Sequence, residues 1–257
     1  MDSVKLAYET YGDNKNETLI LLHGFFASSR NWRKIARQLA EFYHIYVLDL
    51  RNHGASPHRP VMDYPCMVAD LLYFMDEHDL QSASALGHSM GGKVAMWLAL
   101  NHPERVKKLI IADISPVSYQ HNFDRTIQAL KQLPLDKISN RKQADDYLAL
   151  HIPEWDYRQF LLQNIYLEEG VYRWRVDLDI FQQAADAIIA FPNIESLSPY
   201  KDNTLFIMGE KSTYTDVPAI TRCFPAAQIV VLKDTAHWLH VQSPAEFCAS
   251  VVGFMNK

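Results

Sequence analysis

"ALGHSMGGKVAM", Ala85 to Met96, sets a single serine between glycines where an apolar run gives way to a helix-like pattern. Gly87 and Gly91 stand two residues to either side of Ser89, forming G-x-S-x-G, which between a strand and a helix is a nucleophile elbow. So sharp a reversal leaves no room for side chains at the flanking positions, and it pushes the serine Oγ outward. Three fixed positions arise often enough by chance that the surrounding elements decide what the motif means.

Apolar runs of strand length recur around it: Thr18 to Gly24, Ile45 to Leu50, Ala83 to Ser89, Lys108 to Ile114, Thr204 to Gly209 and Gln228 to Asp234. Continuous apolarity, in place of alternation, marks strands covered on both faces, as in a parallel sheet. Helix-like stretches lie between several of them, such as "NWRKIARQLAEF" with Asn31 as its N-cap, "MVADLLYFMDEH" and "MGGKVAMWLALNH". This alternation predicts an α/β fold, a mostly parallel central sheet flanked by helices, with ligands gathering at the C-terminal ends of the strands.

The alternation stops after Ile114. From Val117 to Pro199 the patterns are helical, as in "RTIQALKQL", "QADDYLALH", "YRQFLLQNIYLEE" and "FQQAADAIIAF", with no comparable strand run. The expected organisation is a core of residues 1–116 and 200–257 with a helical cap, 117–199, inserted over the strand ends.

Composition agrees with one soluble globular domain: 257 residues, 48% hydrophobic, 21% charged. A net charge of −5 without a long run of one sign argues against nucleic acid or an anionic membrane as partner, and favours a small molecule. Cys66, Cys223 and Cys248 have no metal-ligand spacing and sit in apolar surroundings, so reduced core thiols are expected. The opening "MDSVKLAYETYG" lacks a leader pattern and no stretch is long and apolar enough to span a membrane, which gives a cytoplasmic expectation.

A serine hydroxyl needs a base within reach and an acid to orient that base. In this architecture the chain order is nucleophile, acid, histidine. "KDTAHWLHVQSP" follows the last strand run and offers His237 and His240. His237 is favoured, being nearer the strand end and following the small Ala236. His88 is expected to be structural, since its place beside Ser89 points it to the other side.

"LLHGFFASSRNW", "DLRNHGASP", "GHSMGGKVAM" and "AHWLHVQSP" resemble the motifs of the α/β-hydrolase superfamily, in order and over nearly the whole chain. The middle two are similar, more narrowly, to the bacterial YbfF-type esterases and their mitochondrial relatives. The resemblance is strong in both sheet halves and weak in the cap. It implies an α/β-hydrolase fold, an esterase or thioesterase activity, and no metal or cofactor. It also implies an oxyanion hole made by the backbone N–H groups of Met90 and Phe25, with His23 holding the loop and Arg51, Asn52 and His53 organising the loop beside the site.

The acid departs from the family's commoner pattern, for Ser212 in "GEKSTYTD" stands where most relatives have an aspartate. Glu210, Asp216 and Asp113 are the available replacements. A carboxylate at the end of an apolar run is costly unless paired, so Asp113 is expected to be the acid, with Ser212 as an added hydrogen-bond partner. Phe26 and Trp155 are expected to line the substrate pocket.

The cap carries +5 from Arg105 to Lys142 and −7 from Gln143 to Glu195. Its basic half suits an anionic leaving group such as coenzyme A. The reading is a serine esterase for short to medium acyl esters or acyl-CoA thioesters, acting as a monomer or weak homo-oligomer. A haloperoxidase-like enzyme, a C–C bond hydrolase and a non-catalytic binding protein are the alternatives.

Overall fold

The computed structural model describes residues 3–120 and 123–257. Met1, Asp2, His121 and Asn122 lie outside the described residues, so the first two positions of the segment read for a leader and two positions of the expected cap are among them.

A seven-stranded sheet organises the chain: β1 (Tyr8–Tyr11), β2 (Thr18–Leu22), β3 (His44–Leu48), β4 (Ala83–His88), β5 (Val106–Ala112), β8 (Thr204–Gly209) and β9 (Ala227–Leu232). The spatial order is β1-β3-β2-β4-β5-β8-β9, parallel throughout except for β1 against β3. All six strands read from the sequence are present. β4 and β8 are buried at every position, as strands covered on both faces are. β2 shows how both faces are covered: Ile20 and Leu22 pack with Met67, Leu71 and Val94, while Leu19 and Leu21 pack with Ile35, Phe247 and Val251. The helices behind those contacts are α2 (Tyr64–Glu77) and α3 (Met90–Asn101) on one side, α1 (Arg33–Leu39) and α10 (Pro244–Met255) on the other.

Three readings are corrected. β1 was not expected; its "YETY" alternates half-buried with exposed residues at the sheet edge, so it lacks the continuous apolarity that marks a central strand. Asn31 does not cap α1. A 3₁₀ turn over Ser29–Trp32 comes first, with Asn31 Oδ1 accepting from the Ser28 N–H at 3.0 Å, and α1 starts at Arg33.

The third correction concerns the segment between β5 and β8. Its helices are α4 (Asp124–Gln132), α5 (Arg141–Leu148), α6 (Trp155–Leu162) and α7 (Leu178–Ile189). The predicted helix "YRQFLLQNIYLEE" ends at Leu162, and its tail pairs as β6 (Ile165–Glu168) with β7 (Val171–Trp174). Glu169 and Gly170 turn this hairpin with φ of 49° and 83°, the two positive values a type I′ turn needs. After β8 come α8 (Val217–Cys223) and, beyond β9, the short α9 (Leu239–Gln242). Cys223 and Cys248 are buried and Cys66 half-buried, all three as free thiols. Among the described residues no helix is long and apolar enough to cross a membrane.

Candidate active site

Ser89 joins β4 to α3 with φ 52° and ψ −119°, a conformation that L-residues rarely adopt and that costs on the order of 1–3 kcal/mol. The surrounding glycines explain how it is tolerated. A Cβ on Gly87 would fall 2.2 Å from the Gly91 carbonyl oxygen, and one on Gly91 would fall 2.4 Å from that of Leu22. Both obstacles are backbone, so neither position accepts a side chain. Met90 begins α3 beside Ser89, which gives its N–H the place of an orphan donor at the positive end of a helix. Among the described residues neither this N–H nor that of Phe25 has a protein acceptor.

Asp113 follows β5 with φ 52° and is fully buried. Three donors converge on its carboxylate: the Gly209 N–H at 2.8 Å on Oδ1, and the Ser212 hydroxyl at 2.6 Å and His237 Nδ1–H at 2.8 Å on Oδ2. With Nδ1 donating, Nε2 is the unprotonated nitrogen of the neutral ring. The other two candidate carboxylates are engaged elsewhere. Asp216 Oδ1 caps α8 through the Ala219 N–H at 2.9 Å, and Glu210 Oε2 accepts from the Asp234 N–H at 3.0 Å. Asp113 is therefore the one of the three that meets His237, and Ser212 joins it on the same oxygen.

His240 is buried against Trp32, their rings 4.7 Å apart, and burial pushes its pKa down to about 3. It stays neutral and unsuited to accept a proton near neutral pH. Burial likewise lowers His23, His53 and His88. His23 Nε2 accepts from the Leu50 N–H at 3.0 Å, which fixes the proton on Nδ1, 2.8 Å from the Gly24 carbonyl, so this ring holds its loop as expected. Arg51 makes a buried ion pair with Asp70 at 2.6 Å, and His53 Nδ1–H donates to the Arg51 carbonyl at 2.9 Å.

A cavity of about 1060 Å³ has Ser89, His237, Phe25, Phe26, Met90 and Trp155 in its wall. Phe26 is buried in an aromatic cluster with Phe25, Phe123 and Phe181. Phe25 stacks on Phe181 of α7 with ring centroids 4.6 Å apart, and the other end of α7 adds Ile188 and Ile189 to the cavity wall. Trp155 is 61% exposed and stands at the mouth.

The sequence reading missed three participants. His88 is not turned away: its Nε2–H donates to the His237 carbonyl at 2.8 Å and its ring lies 4.6 Å from that of His237. The Tyr214 ring packs 4.3 Å from His237 on another side. Lys93 lies buried in the cavity wall. A lysine inside the apolar run of α3 was its sequence signal; for Tyr214, nothing beyond nearness to Ser212 pointed to the site.

The model of the alpha/beta hydrolase fold family matches residues 17–244. A zebrafish (Danio rerio) protein named sn-1-specific diacylglycerol lipase ABHD11 is 37% identical over 98% of this chain and 83% of its own length. Esterase YbfF of Escherichia coli is 30% identical over 97% of each. The solved structure of a marine microorganism esterase superposes with a TM-score of 0.94 at 37% identity, covering 98% of this chain and all of that one. The chain belongs to the α/β-hydrolase fold family.

Proposed function

We propose that this carboxylic ester hydrolase works through an acyl-enzyme formed on Ser89. His237 Nε2 takes the hydroxyl proton as Ser89 Oγ attacks the acyl carbonyl, then gives it to the leaving alcohol. Asp113 keeps the ring in the required tautomer and stabilises the imidazolium, while Ser212 helps hold the carboxylate. The N–H groups of Phe25 and Met90 receive the developing oxyanion, a role worth about 3 kcal/mol per donor. Water activated by His237 then releases the acid. The observation that carries this reading is the 2.8 Å contact between Asp113 and His237 Nδ1, made just behind the cavity wall in which His237 and Ser89 both stand.

Residues 117–199 act as the cap that shapes the substrate site. The apolar wall around Phe25, Phe26 and Ile114 supports short to medium acyl esters as substrates, in line with relatives named esterase and diacylglycerol lipase. Acyl-CoA thioesters are the second class, supported by the net +5 between Arg105 and Lys142. The three free thiols support a cytoplasmic place of action, and the chain works as a monomer or weak homo-oligomer.

The test is the initial rate of wild type and Ser89→Ala on p-nitrophenyl esters of increasing acyl length. Turnover abolished in the variant is expected. Equal rates in both proteins would refute the mechanism.

A further inference from the structure

Three buried cations have well-defined partners here, and one differs from the others. Arg51 pairs with Asp70 at 2.6 Å and Arg158 with Asp145 at 2.7 Å. Lys93, 1% exposed, instead donates from Nζ to two main-chain carbonyls, Ile189 at 2.8 Å and Ala190 at 2.7 Å. Its other neighbours are the faces of Tyr119 at 4.8 Å and Tyr64 at 5.9 Å.

Those carbonyls are the end of α7. The last carbonyls of a helix have no intrahelical donor, and "IIAFP" supplies no glycine to turn the chain back onto them. Neighbouring segments supply donors instead. Tyr64 of α2 donates its hydroxyl to the Ile188 carbonyl at 2.5 Å, and the Tyr119 N–H reaches that of Ile189 at 3.1 Å. With Lys93, this makes four bonds from α2, α3 and the Tyr119 segment onto one helix end. A cation there also suits the negative end of the helix dipole.

Lys93 lies one helical turn beyond Ser89 on α3, and its amide donates to the Ser89 carbonyl at 3.0 Å. One short stretch therefore fixes both the nucleophile and the far end of α7, where Ile188 and Ile189 line the cavity. We propose that Lys93, assisted by Tyr64, is a specificity-determining positioning residue: it holds the C-terminal end of α7 over the cavity and thereby sets which acyl lengths fit beneath it. Burying an ammonium without a carboxylate is costly, and burial pushes its pKa down to about 7. An apolar side chain of similar length would fill the space without that cost, but it could not hold the carbonyls.

This proposal rests on the ester-hydrolase mechanism above, and two readouts separate the failure of each. The first is kcat and KM for p-nitrophenyl acetate, butyrate, hexanoate and octanoate with wild type, Lys93→Met and Tyr64→Phe. The octanoate-to-acetate ratio of kcat/KM is expected to change at least tenfold in Lys93→Met, through KM more than kcat, and at least threefold in the same direction in Tyr64→Phe. The second is amide hydrogen exchange, expected to quicken at least tenfold in α7 of both variants while α10 keeps its wild-type protection.

An unmoved ratio with unmoved α7 exchange overturns the proposal. An unmoved ratio with faster exchange overturns the specificity role and leaves only a structural fastening. If Lys93→Met does not fold, Tyr64→Phe decides by the same two criteria. Failure of wild type to hydrolyse any of the esters would count against the mechanism, and the exchange measurement would still judge the fastening.

Discussion

His88 Nε2–H donates to the backbone carbonyl of His237 at 2.8 Å, so the strand that leads into Ser89 also anchors the loop that carries His237. Burial keeps His88 neutral, and a neutral ring can hold its one proton toward that carbonyl. The same loop is gripped from another side by Asp113, at the end of the neighbouring strand. His88 and Asp113 thus fix His237 from adjacent strand ends.

His88→Leu should keep the bulk of the ring and lose the donor. Leaving a buried carbonyl unsatisfied costs about 1–3 kcal/mol; carried into the transition state, this lowers kcat by about ten- to a hundredfold. KM should change little, and His88→Gln, which keeps an N–H donor, should recover part of the loss. Steady-state kinetics with a thermal melt of each variant checks this, and wild-type kcat in His88→Leu would remove the anchoring role.

Asp113→Asn should fold and lose about 10⁴-fold in kcat, because an amide no longer dictates the tautomer of His237. Ser212→Ala removes one hydrogen bond and no charge, so a loss of about 1 kcal/mol, roughly five- to tenfold in rate, is expected. Equal losses at the two positions would contradict this ranking. Near-normal turnover in Asp113→Asn would shift the acid to Glu210 or Asp216.

Lys93 gives stability a pH dependence of definite sign. Its folded pKa is about 7, whereas an unfolded chain holds that proton to about 10.4. Between these values the unfolded state binds more protons, so stability rises with pH; the penalty is fully present below about pH 7 and gone above about pH 10. Lys93→Met has no such dependence. From pH 7 to pH 9 the unfolding free energy of wild type should gain about 2 kcal/mol on that of the variant, measured by denaturant titration at both values. A constant difference would mean that the ammonium is not penalised by burial.

Two glycine substitutions should act in opposite directions. An alanine Cβ at Gly91 would meet the Leu22 and His23 carbonyl oxygens at 2.4 and 2.6 Å, so Gly91→Ala should destabilise by about 3 kcal/mol. At Gly253, inside α10, a Cβ meets nothing within 4 Å. Gly253→Ala should therefore stabilise by about 0.5–1 kcal/mol. Melting temperatures of the pair test the contrast, and a tolerated Gly91→Ala would show that the elbow is looser than its geometry.

The amino-acid sequence by itself determined the central sheet and its elbow, because both depend on local chemistry. A strand buried on both faces draws mainly on apolar residues, as β4 and β8, buried at every position, do, and a turn as sharp as that at Ser89 must be flanked by glycine. The same rule explains what it concealed. β1 and the β6–β7 hairpin are only partly buried, so they carry alternation too short to stand out between helical patterns.

The sequence favoured Asp113 among three carboxylates by the cost of leaving it unpaired in an apolar run, but only the tertiary structure decided that it meets His237. β5 and β8 lie side by side, which brings Asp113, Ser212 and the His237 loop together while Asp216 is drawn off to cap α8. The place of His88 beneath His237 and the grip of Lys93 on the end of α7 are likewise contacts between segments about 100 to 150 residues apart in sequence. No local pattern encodes such pairs, because their free energy exists only once the sheet has set the distances.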